Sequence, residues 1–415
     1  MAHARRTFIC GPALLTGAVL LAACSDSSTP TSSDSRNSPN FPKPPNVNPA
    51  PSPVPLGSAL AGLMPFEAAQ FARGQAVFVR VFTPATGLGP LFNNTSCAGC
   101  HDDPVTGGYS DDDFETHATA YHRGSCNMLA SEGGPVFESH VTPAVTALTG
   151  LTAAPVPKDA TGTGIRFTPD VFGRGLIEAI PDQTLRQLAW QERSNPDHIA
   201  GRANILANGH VGRFGRKANV DNLRDFNATA FLKEMGITSS LDPQEPLIIA
   251  GKTLPASIEP GGIDLSDKDL NDATAFTRLL APPPLQAQTA QTNTGSMLFD
   301  KVGCAGCHVR SLKTGSNAAS PSLSNRTVGL FSDLLLHDMG PALADICFLS
   351  ANPSEFRTEP LMGVNHREEF MHDHKSTTID DAIQRHGGQG SAARARFRAL
   401  SPAQQAALTA YVNTL

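Results

Sequence analysis

Tryptophan is almost missing from this chain: Trp190 is the one copy, and there are three tyrosines. Any role that needs a stacked indole has a single residue to draw on. Positive charge is also short. Lys and Arg number 32 against 38 Asp and Glu, for a formal charge of −6, which argues against nucleic acid as a partner and suits a basic protein partner. The long apolar run from Phe8 to Ala23 is interrupted by Gly11-Pro12. It falls short of the roughly 20 apolar residues that a bilayer-spanning helix needs. Strand signals are sparse, while Gly and Pro are abundant, so the chain predicts a mainly α fold with long loops.

Against these absences, one pentapeptide occurs twice: Cys97-Ala98-Gly99-Cys100-His101 and Cys304-Ala305-Gly306-Cys307-His308. The spacing is that of c-type haem attachment. Two thiols separated by two residues reach the two vinyl groups of one porphyrin edge, and the next His falls under the iron as its proximal ligand. Zinc is the competing use of Cys-x-x-Cys, but neither copy has a second Cys/His pair nearby at finger spacing. Two covalently attached c-type haems, with His101 and His308 on iron, are therefore expected.

The ends of the chain fit an exported protein. Arg5 and Arg6 precede the apolar run, which closes on Leu21-Ala22-Ala23-Cys24. This reads as a lipoprotein leader over residues 1–23, with lipid on Cys24 anchoring the mature protein to a membrane. Arg5-Arg6 superficially suits the twin-arginine route, but the general secretory route is preferred because c-haem is attached to an unfolded, exported chain. Ser25 follows Cys24 in place of an Asp that would retain the protein at the inner membrane, so the periplasmic face of an outer membrane is expected. Losing the two leader arginines, with no acid beside them, takes the charge from −6 to −8. Residues 24–56 are Ser, Thr, Pro and Asn with little apolar content, the composition of a disordered tether. Cys126 and Cys347 remain after leader, lipid and haem are counted. In an oxidising compartment they could pair, though spacing alone leaves that open.

A repeated unit surrounds the two motifs: Gly74-Gln-Ala-Val-Phe78 precedes the first and Gly295-Ser-Met-Leu-Phe299 the second. The Phe-to-Cys interval is 19 residues in the first copy and 5 in the second, so the first carries an insertion. Apolar residues in 66–82 recur at helical spacing. Ser401-Pro402 starts a last helix whose Leu408, Tyr411, Val412 and Leu415 share a face. A helix, the motif, a long loop and a closing helix describe a cytochrome c-like domain. Two are expected, over 57–240 and 289–415, joined by a Pro-, Gly- and Asp-rich connecting segment at 241–288. Further helix is expected within 167–182 and 201–235.

Several stretches resemble the bacterial di-haem oxidoreductases, also called thiol oxidoreductases, which are related to di-haem cytochrome c peroxidases and MauG enzymes. They are Gly87-Leu-Gly-Pro-Leu-Phe-Asn93, Phe172-Gly-Arg-Gly-Leu-Ile-Glu-Ala-Ile-Pro-Asp182, Gly212-Arg-Phe-Gly-Arg-Lys-Ala218, Glu234-Met-Gly-Ile-Thr238 and Ser332-Asp-Leu-Leu-Leu-His-Asp-Met-Gly340. Phe370-Met-His-Asp373 and Thr378-Ile-Asp-Asp-Ala-Ile383 are similar to the peroxidase segment leading to the sixth ligand of the electron-transfer haem. The resemblance places that ligand fourteen residues after His372, which is His386. It implies a bis-histidine second haem, His308 and His386.

For the first haem, the distal side is open or closed by His117 or His122; His117 stands sixteen residues past His101. Peroxide chemistry needs a group that moves a proton between the two oxygens. Glu178, amid Leu176, Ile177, Ala179 and Ile180, is the candidate; the other reading is a carboxylate that bridges helices. Arg216 stands where the family pattern has Trp, which puts a Trp relay between haems in doubt. Arg213, Arg216 and Lys217 are candidates to pair with haem propionates, or form a solvated basic turn. The resemblance implies a periplasmic peroxidase-like enzyme drawing electrons from a small c-type cytochrome and reducing hydrogen peroxide or oxidising another substrate. A pure electron carrier and a MauG-like oxidase of a protein or thiol are the alternatives. Bound calcium and oligomeric state are not legible.

Overall fold

The structure, a computed structural model, describes residues 54–110, 114–259, 261–317 and 320–415. The expected leader, Cys24 and most of the expected tether lie outside the described residues, as does the acidic run Asp111-Asp112-Asp113. Helix outweighs strand, 36% against 14%, in line with the abundance of helical spacing over strand alternation.

Two helix pairs set the frame. Helices α1 (Pro65–Phe78), α2 (Pro143–Thr149), α3 (Arg174–Glu178), α4 (Asp182–Gln191), α5 (Leu223–Met235) and α6 (Asp267–Leu279) precede the second motif's unit. That unit holds α7 (Ala290–Val302), α8 (Ile379–Arg385), α9 (Ser391–Arg398) and α10 (Pro402–Val412). Helix α1 packs on α6 and α7 packs on α10. The α10 start follows its sequence signals: the Ser401 hydroxyl accepts from the Gln404 amide at 3.4 Å, and Pro402 fills the first turn. The repeated glycines are the crossing points. A methyl group at Gly74 would stand 1.9 Å from the Asp272 carbonyl oxygen, and one at Gly295 would stand 2.0 Å from that of Ala407. Four residues on, Phe78 meets Phe276 at 4.7 Å between centroids and Phe299 meets Tyr411 at 5.7 Å. The repeat therefore encodes a close helix crossing with an aromatic contact one turn later.

The segment expected to be a connector, 241–288, contains α6 and so closes the first unit instead of merely linking two. Its helix was hidden by the Pro- and Gly-rich residues before it. Ser266 caps it by accepting from Asp269 N, and Leu270, Ala273, Phe276 and Leu279 then form its buried face. The helix expected within 201–235 is α5, which begins at Leu223; residues 201–222 before it form turns and short bridges.

Strand content exceeds what the sequence suggested. The insertion after the first motif builds an antiparallel sheet in which Phe114–His122 pairs with Ser125–Asn127, Val136–Phe137 and Gly162–Phe167. Alternation there is short: Ala118, Thr119 and Ala120 are all buried. The two leftover cysteines do pair. Cys126 and Cys347, 221 residues apart, form a disulfide with a Cα separation of 5.8 Å, and it binds this sheet to the second half of the chain. Among the described residues, no helix is long and apolar enough to cross a membrane.

Candidate functional site

Each pentapeptide folds as a single tight turn. The His308 amide donates to the Cys304 carbonyl at 2.9 Å, and the His101 amide donates to that of Cys97, also at 2.9 Å. Both motifs thus bring the histidine backbone back onto the first cysteine, and none of the four cysteines is in a disulfide. In the first turn the Ser96 hydroxyl accepts from Gly99 N at 2.9 Å, while Asn94 Nδ2 lies 3.2 Å from Cys100 Sγ.

The second site is a facing pair of histidines. His308 Nδ1 lies 3.0 Å from the Phe331 carbonyl oxygen, so this nitrogen carries the proton and Nε2 presents its lone pair. His386 caps the end of α8 and places its Nδ1 2.7 Å from the Ala382 carbonyl oxygen, which again leaves Nε2 as the acceptor. The two rings stand 6.4 Å apart between centroids. Imidazoles bound about 2 Å from one shared metal put their centroids about 6 Å apart, so the pair fits an iron held from both faces. Burial pushes His308 down to about 4 and lowers His386 as well, which favours the neutral, ligating form. The loop before α8 is fixed by Arg385, whose guanidinium grips both Asp373 oxygens at 2.9 and 2.5 Å. After His386 the chain must pass close to Asp338. A side chain on Gly388, at φ +48°, would come within 2.1 Å of the Asp338 carbonyl oxygen.

The first site has a different surround. His101 Nδ1 lies 3.2 Å from the Gly108 carbonyl oxygen, and its ring contacts Phe78 at 5.8 Å. Of the two candidate distal histidines, His122 is exposed at the sheet edge, and His117 Nε2 is 2.6 Å from Glu115 Oε2. Buried carboxyls gather there. Glu234 accepts from Asn93 Nδ2 at 2.8 Å, and its backbone carbonyl accepts from Asn93 and Asn94, the residues beside Cys100. Burial first, and then the Glu115 charge, raise Glu234 well above the usual carboxylate range. For Glu115, burial works upward but the His117 hydrogen bond and charge outweigh it, so this carboxylate sits below its usual value. Glu138 is pushed up to about 7 by burial. A proton-holding carboxyl therefore adjoins a proton-accepting one.

Two expected residues are elsewhere. The Glu178 carboxylate accepts from Leu223 N at 2.8 Å and from Arg278 Nε and Nη2 at 2.5 and 2.9 Å. It ties α3, α5 and α6 together, so the helix-bridging reading replaces the acid/base one. Arg213 is engaged by Asp182 and by the carbonyls of Glu178, Ile180 and Val211, and it does not line the cavity of His308 and His386. Trp190 is 43% exposed.

Arg216 does reach the cavity beside His308 and His386, within a buried cationic group. Glu359 is contacted by Arg357 at 2.7 Å, Arg216 at 3.0 Å, and Arg174 and Arg367 at 3.8 Å each. Asp170 pairs with Arg174 and Arg367, while Arg166 and Lys217 share Asp345. Six cations face three carboxylates here. Such an imbalance inside a protein calls for further anions, and haem propionates have the right chemistry. Arg357, Arg367 and Glu359 stand in no motif, so no local signal marks them in the chain. Glu234 did, since it opens one of the matched stretches.

The sequence profile of the family described as "Di-haem oxidoreductase, putative peroxidase" matches residues 151–415. No curated protein matches in sequence. Among solved structures, Kuenenia stuttgartiensis hydrazine synthase is similar at a TM-score of 0.40 and 15% identity, covering 92% of this chain and 99% of its own. A MauG-like protein associated with microbial copper homeostasis gives 0.39 and 14%, covering 91% and 95%. The diheme peroxidase BthA from Burkholderia thailandensis E264 gives 0.38 and 16%, covering 90% and 95%. With the family profile spanning more than half of its length, this chain belongs to the di-haem oxidoreductases.

Proposed function

We propose that this chain is a peroxidase-like di-haem c-type oxidoreductase with one saturated and one reactive site. The observation that carries this reading is the inequality of the two motifs: His308 faces His386, whereas among the described residues His101 faces no second imidazole, and the carboxylates of Asp170 and Glu115 act on it, with Glu234 acting on Cys97. Cys97, Cys100, Cys304 and Cys307 would hold the porphyrins by thioethers, and His101, His308 and His386 would be the axial ligands. Haem iron, when bound, supplies the one-electron chemistry that no side chain here can supply. The protein contributes the proton chemistry. Glu234 holds a proton on its carboxyl, Glu115 Oε2 is hydrogen-bonded to His117 Nε2, and the Arg216–Arg357–Arg367 group neutralises Glu359 in the dry interior.

The setting that goes with this reading is a periplasmic protein, lipid-anchored at Cys24. Its electron donor would be a small c-type cytochrome and its oxidant hydrogen peroxide. The leader pattern and the negative charge support this.

Electron paramagnetic resonance and cyanide binding on the haem-loaded protein test the reading. A high-spin component that binds cyanide, beside a low-spin one lost in His386→Ala, is expected. Two low-spin irons inert to cyanide, in both oxidised and half-reduced protein, would leave only an electron carrier.

A further inference from the structure

Next to the second motif lies a buried ionisable cluster that has no part in holding the iron. His337 is 2% exposed and Asp333 fully buried. His337 Nε2 lies 2.9 Å from Asp333 Oδ2 and 3.8 Å from Glu192 Oε2. On the other edge of the ring, Nδ1 lies 2.7 Å from Gln389 Oε1 and 3.8 Å from Cys307 Sγ. The cluster is thus in contact with the sulfur expected to carry porphyrin.

Its parts come from four places in the chain. Glu192 follows α4, Asp333 and His337 flank Leu334-Leu335-Leu336, Cys307 belongs to the pentapeptide, and Gln389 follows His386. The charged or titratable groups that face His337 are Asp333, Glu192, Cys307 and, further off, His308; Gln389 is neutral. Asp333 is anchored through Oδ1, which accepts from Leu335 N at 2.9 Å. Glu192 uses Oε2 to accept from Gly201 N at 2.7 Å, while its Oε1 is buried with no hydrogen-bond partner.

That last atom is the informative one. A buried, unpartnered carboxylate oxygen is costly, but a protonated carboxyl tolerates the site far better. Burial, and then the Asp333 charge, push Glu192 up to about 9. For His337, burial works against the charge, but the Asp333 charge and then the Cys307 thiol, with hydrogen bonds to both, outweigh it and raise it above the usual value; a thioether at Cys307 would leave the Asp333 part. Glu192 is thus a carboxyl of raised proton affinity beside the Asp333–His337 pair, able to take up a proton in the part of the pH range where it is still ionised.

There is also a way out. Gln389 lines the cavity of His308 and His386, and it also lines an open cleft on the surface with Tyr121, Asp338, Gly340 and Asn352. It is the residue common to both.

We propose that Glu192, Asp333 and His337 form a proton-loading site tied to the redox state of the second haem, with solvent exchange beside Gln389. When a one-electron donor reduces the iron, the site gains one negative charge, and a proton from solvent binds the Glu192 carboxyl. When the electron leaves, the proton returns to solvent. Charge balances at each step, and no other bond changes. The driving force is electrostatic: in a low-dielectric interior a unit charge on the iron shifts the proton affinity of Glu192, which reaches the Cys307 sulfur through His337 by two contacts of 3.8 Å. This inference rests on the reading that Cys304, Cys307 and His308 carry haem.

The test is a spectroelectrochemical titration of the full, haem-loaded protein from pH 5.5 to 9, following the low-spin haem. In the wild type its midpoint potential is expected to fall with rising pH over part of that range. Glu192→Gln keeps the shape of the side chain and should abolish that slope, while leaving the low-spin spectrum in place. His337→Gln removes the cation beside Glu192, so the slope should move to higher pH. An indicator dye in weakly buffered solution should show proton uptake on reduction of the wild type and loss of it in Glu192→Gln. A slope retained in Glu192→Gln, a profile unmoved in His337→Gln, or a flat wild-type profile overturns the proposal. Absence of any low-spin haem spectrum would instead sink the haem reading beneath it.

Discussion

Removing the Cys126–Cys347 crosslink should cost this protein a large part of its stability. The bond closes a loop between positions 221 residues apart. In the chain-entropy account such a loop corresponds to about 5 kcal/mol at 25 °C, at the top of what native disulfides contribute. The folded state gives little reason to discount this figure. The Cα separation of 5.8 Å lies inside the usual window of roughly 4.4–6.8 Å, so closure needs no backbone shift. Serine at 347 would keep a partner, because the Thr119 hydroxyl is 3.3 Å from Cys347 Sγ and 3.2 Å from its amide nitrogen. The expected loss in Cys126→Ser/Cys347→Ser is therefore about 3–5 kcal/mol, nearly all from the freed unfolded chain. Guanidinium unfolding followed by far-ultraviolet circular dichroism measures it. Reductant should bring the wild type to the variant's midpoint and leave the variant unmoved, since thioethers are not reduced. A difference below about 1 kcal/mol would refute the reasoning. The functional stake is local: Thr119 sits on the strand that carries Glu115 and His117, so the crosslink holds that pair in register with the second half.

Three further outcomes follow from the geometry. Glu234→Gln should lower peroxide turnover by about 10²–10⁴-fold, with folding kept. Glu178→Gln should leave the chemistry and cost about 2 kcal/mol in unfolding experiments, through its lost Arg278 bridge; equal turnover in both variants would exclude Glu234 as the acid. Burial first of all, with Arg216 adding to it for His374, pushes His372 down to about 4 and His374 down to about 3. Their folded values lie below the unfolded value of about 6.5, so the stability they protect is complete above that pH and is lost on acidification through the window down to about 3–4. Within it each histidine removes about 1.4 kcal/mol per pH unit, and denaturation midpoints that stay level between pH 7 and 4 would contradict this. Gly74→Ala and Gly295→Ala should each destabilise by about 3 kcal/mol or more, because the added methyl meets a carbonyl oxygen across the helix crossing; melting temperatures near wild type would show that the helices can part cheaply.

What could be read in the chain beforehand was whatever is written locally. The pentapeptides, the glycine–phenylalanine repeat and the Ser401-Pro402 helix start each place their signal within a few residues. His386 was reached only through the family resemblance, which puts a ligand fourteen residues after His372. Glu178 misled for a physical reason. Its apolar neighbours predict burial correctly, but they say nothing about Arg278, a hundred residues away, which claims both oxygens. The arginine group fails the same way in reverse. Arg174, Arg216, Arg357 and Arg367 are scattered over nearly two hundred residues and meet only because Glu359 is reached from several turns at once. Helix α6 was missed since its start is a lone Ser266 cap behind a Gly- and Pro-rich stretch.

The two units share a frame, although the first carries the inserted sheet, and a different residue stands at the end of one helix in each. Each opens with a helix carrying a close-packed glycine, turns through Cys-Ala-Gly-Cys-His, and ends with a helix that crosses at that glycine. In each, another helix packs on the closing one: α8 against α10, and α5 against α6. Helix α8 runs out at His386, a ring turned toward His308 with its proton held by the Ala382 carbonyl. Helix α5 runs out at Glu234 and Met235, with a carboxyl drawn toward Asn93 and Glu115. An imidazole lone pair in that place closes an iron's sixth position, whereas a protonated carboxyl has no lone pair of comparable basicity and keeps its proton available. Under the proposed function, the difference between a haem that passes electrons and one that meets a substrate would lie in part in the residue at the end of one helix. The repeated pentapeptide, being identical in both, carries none of it.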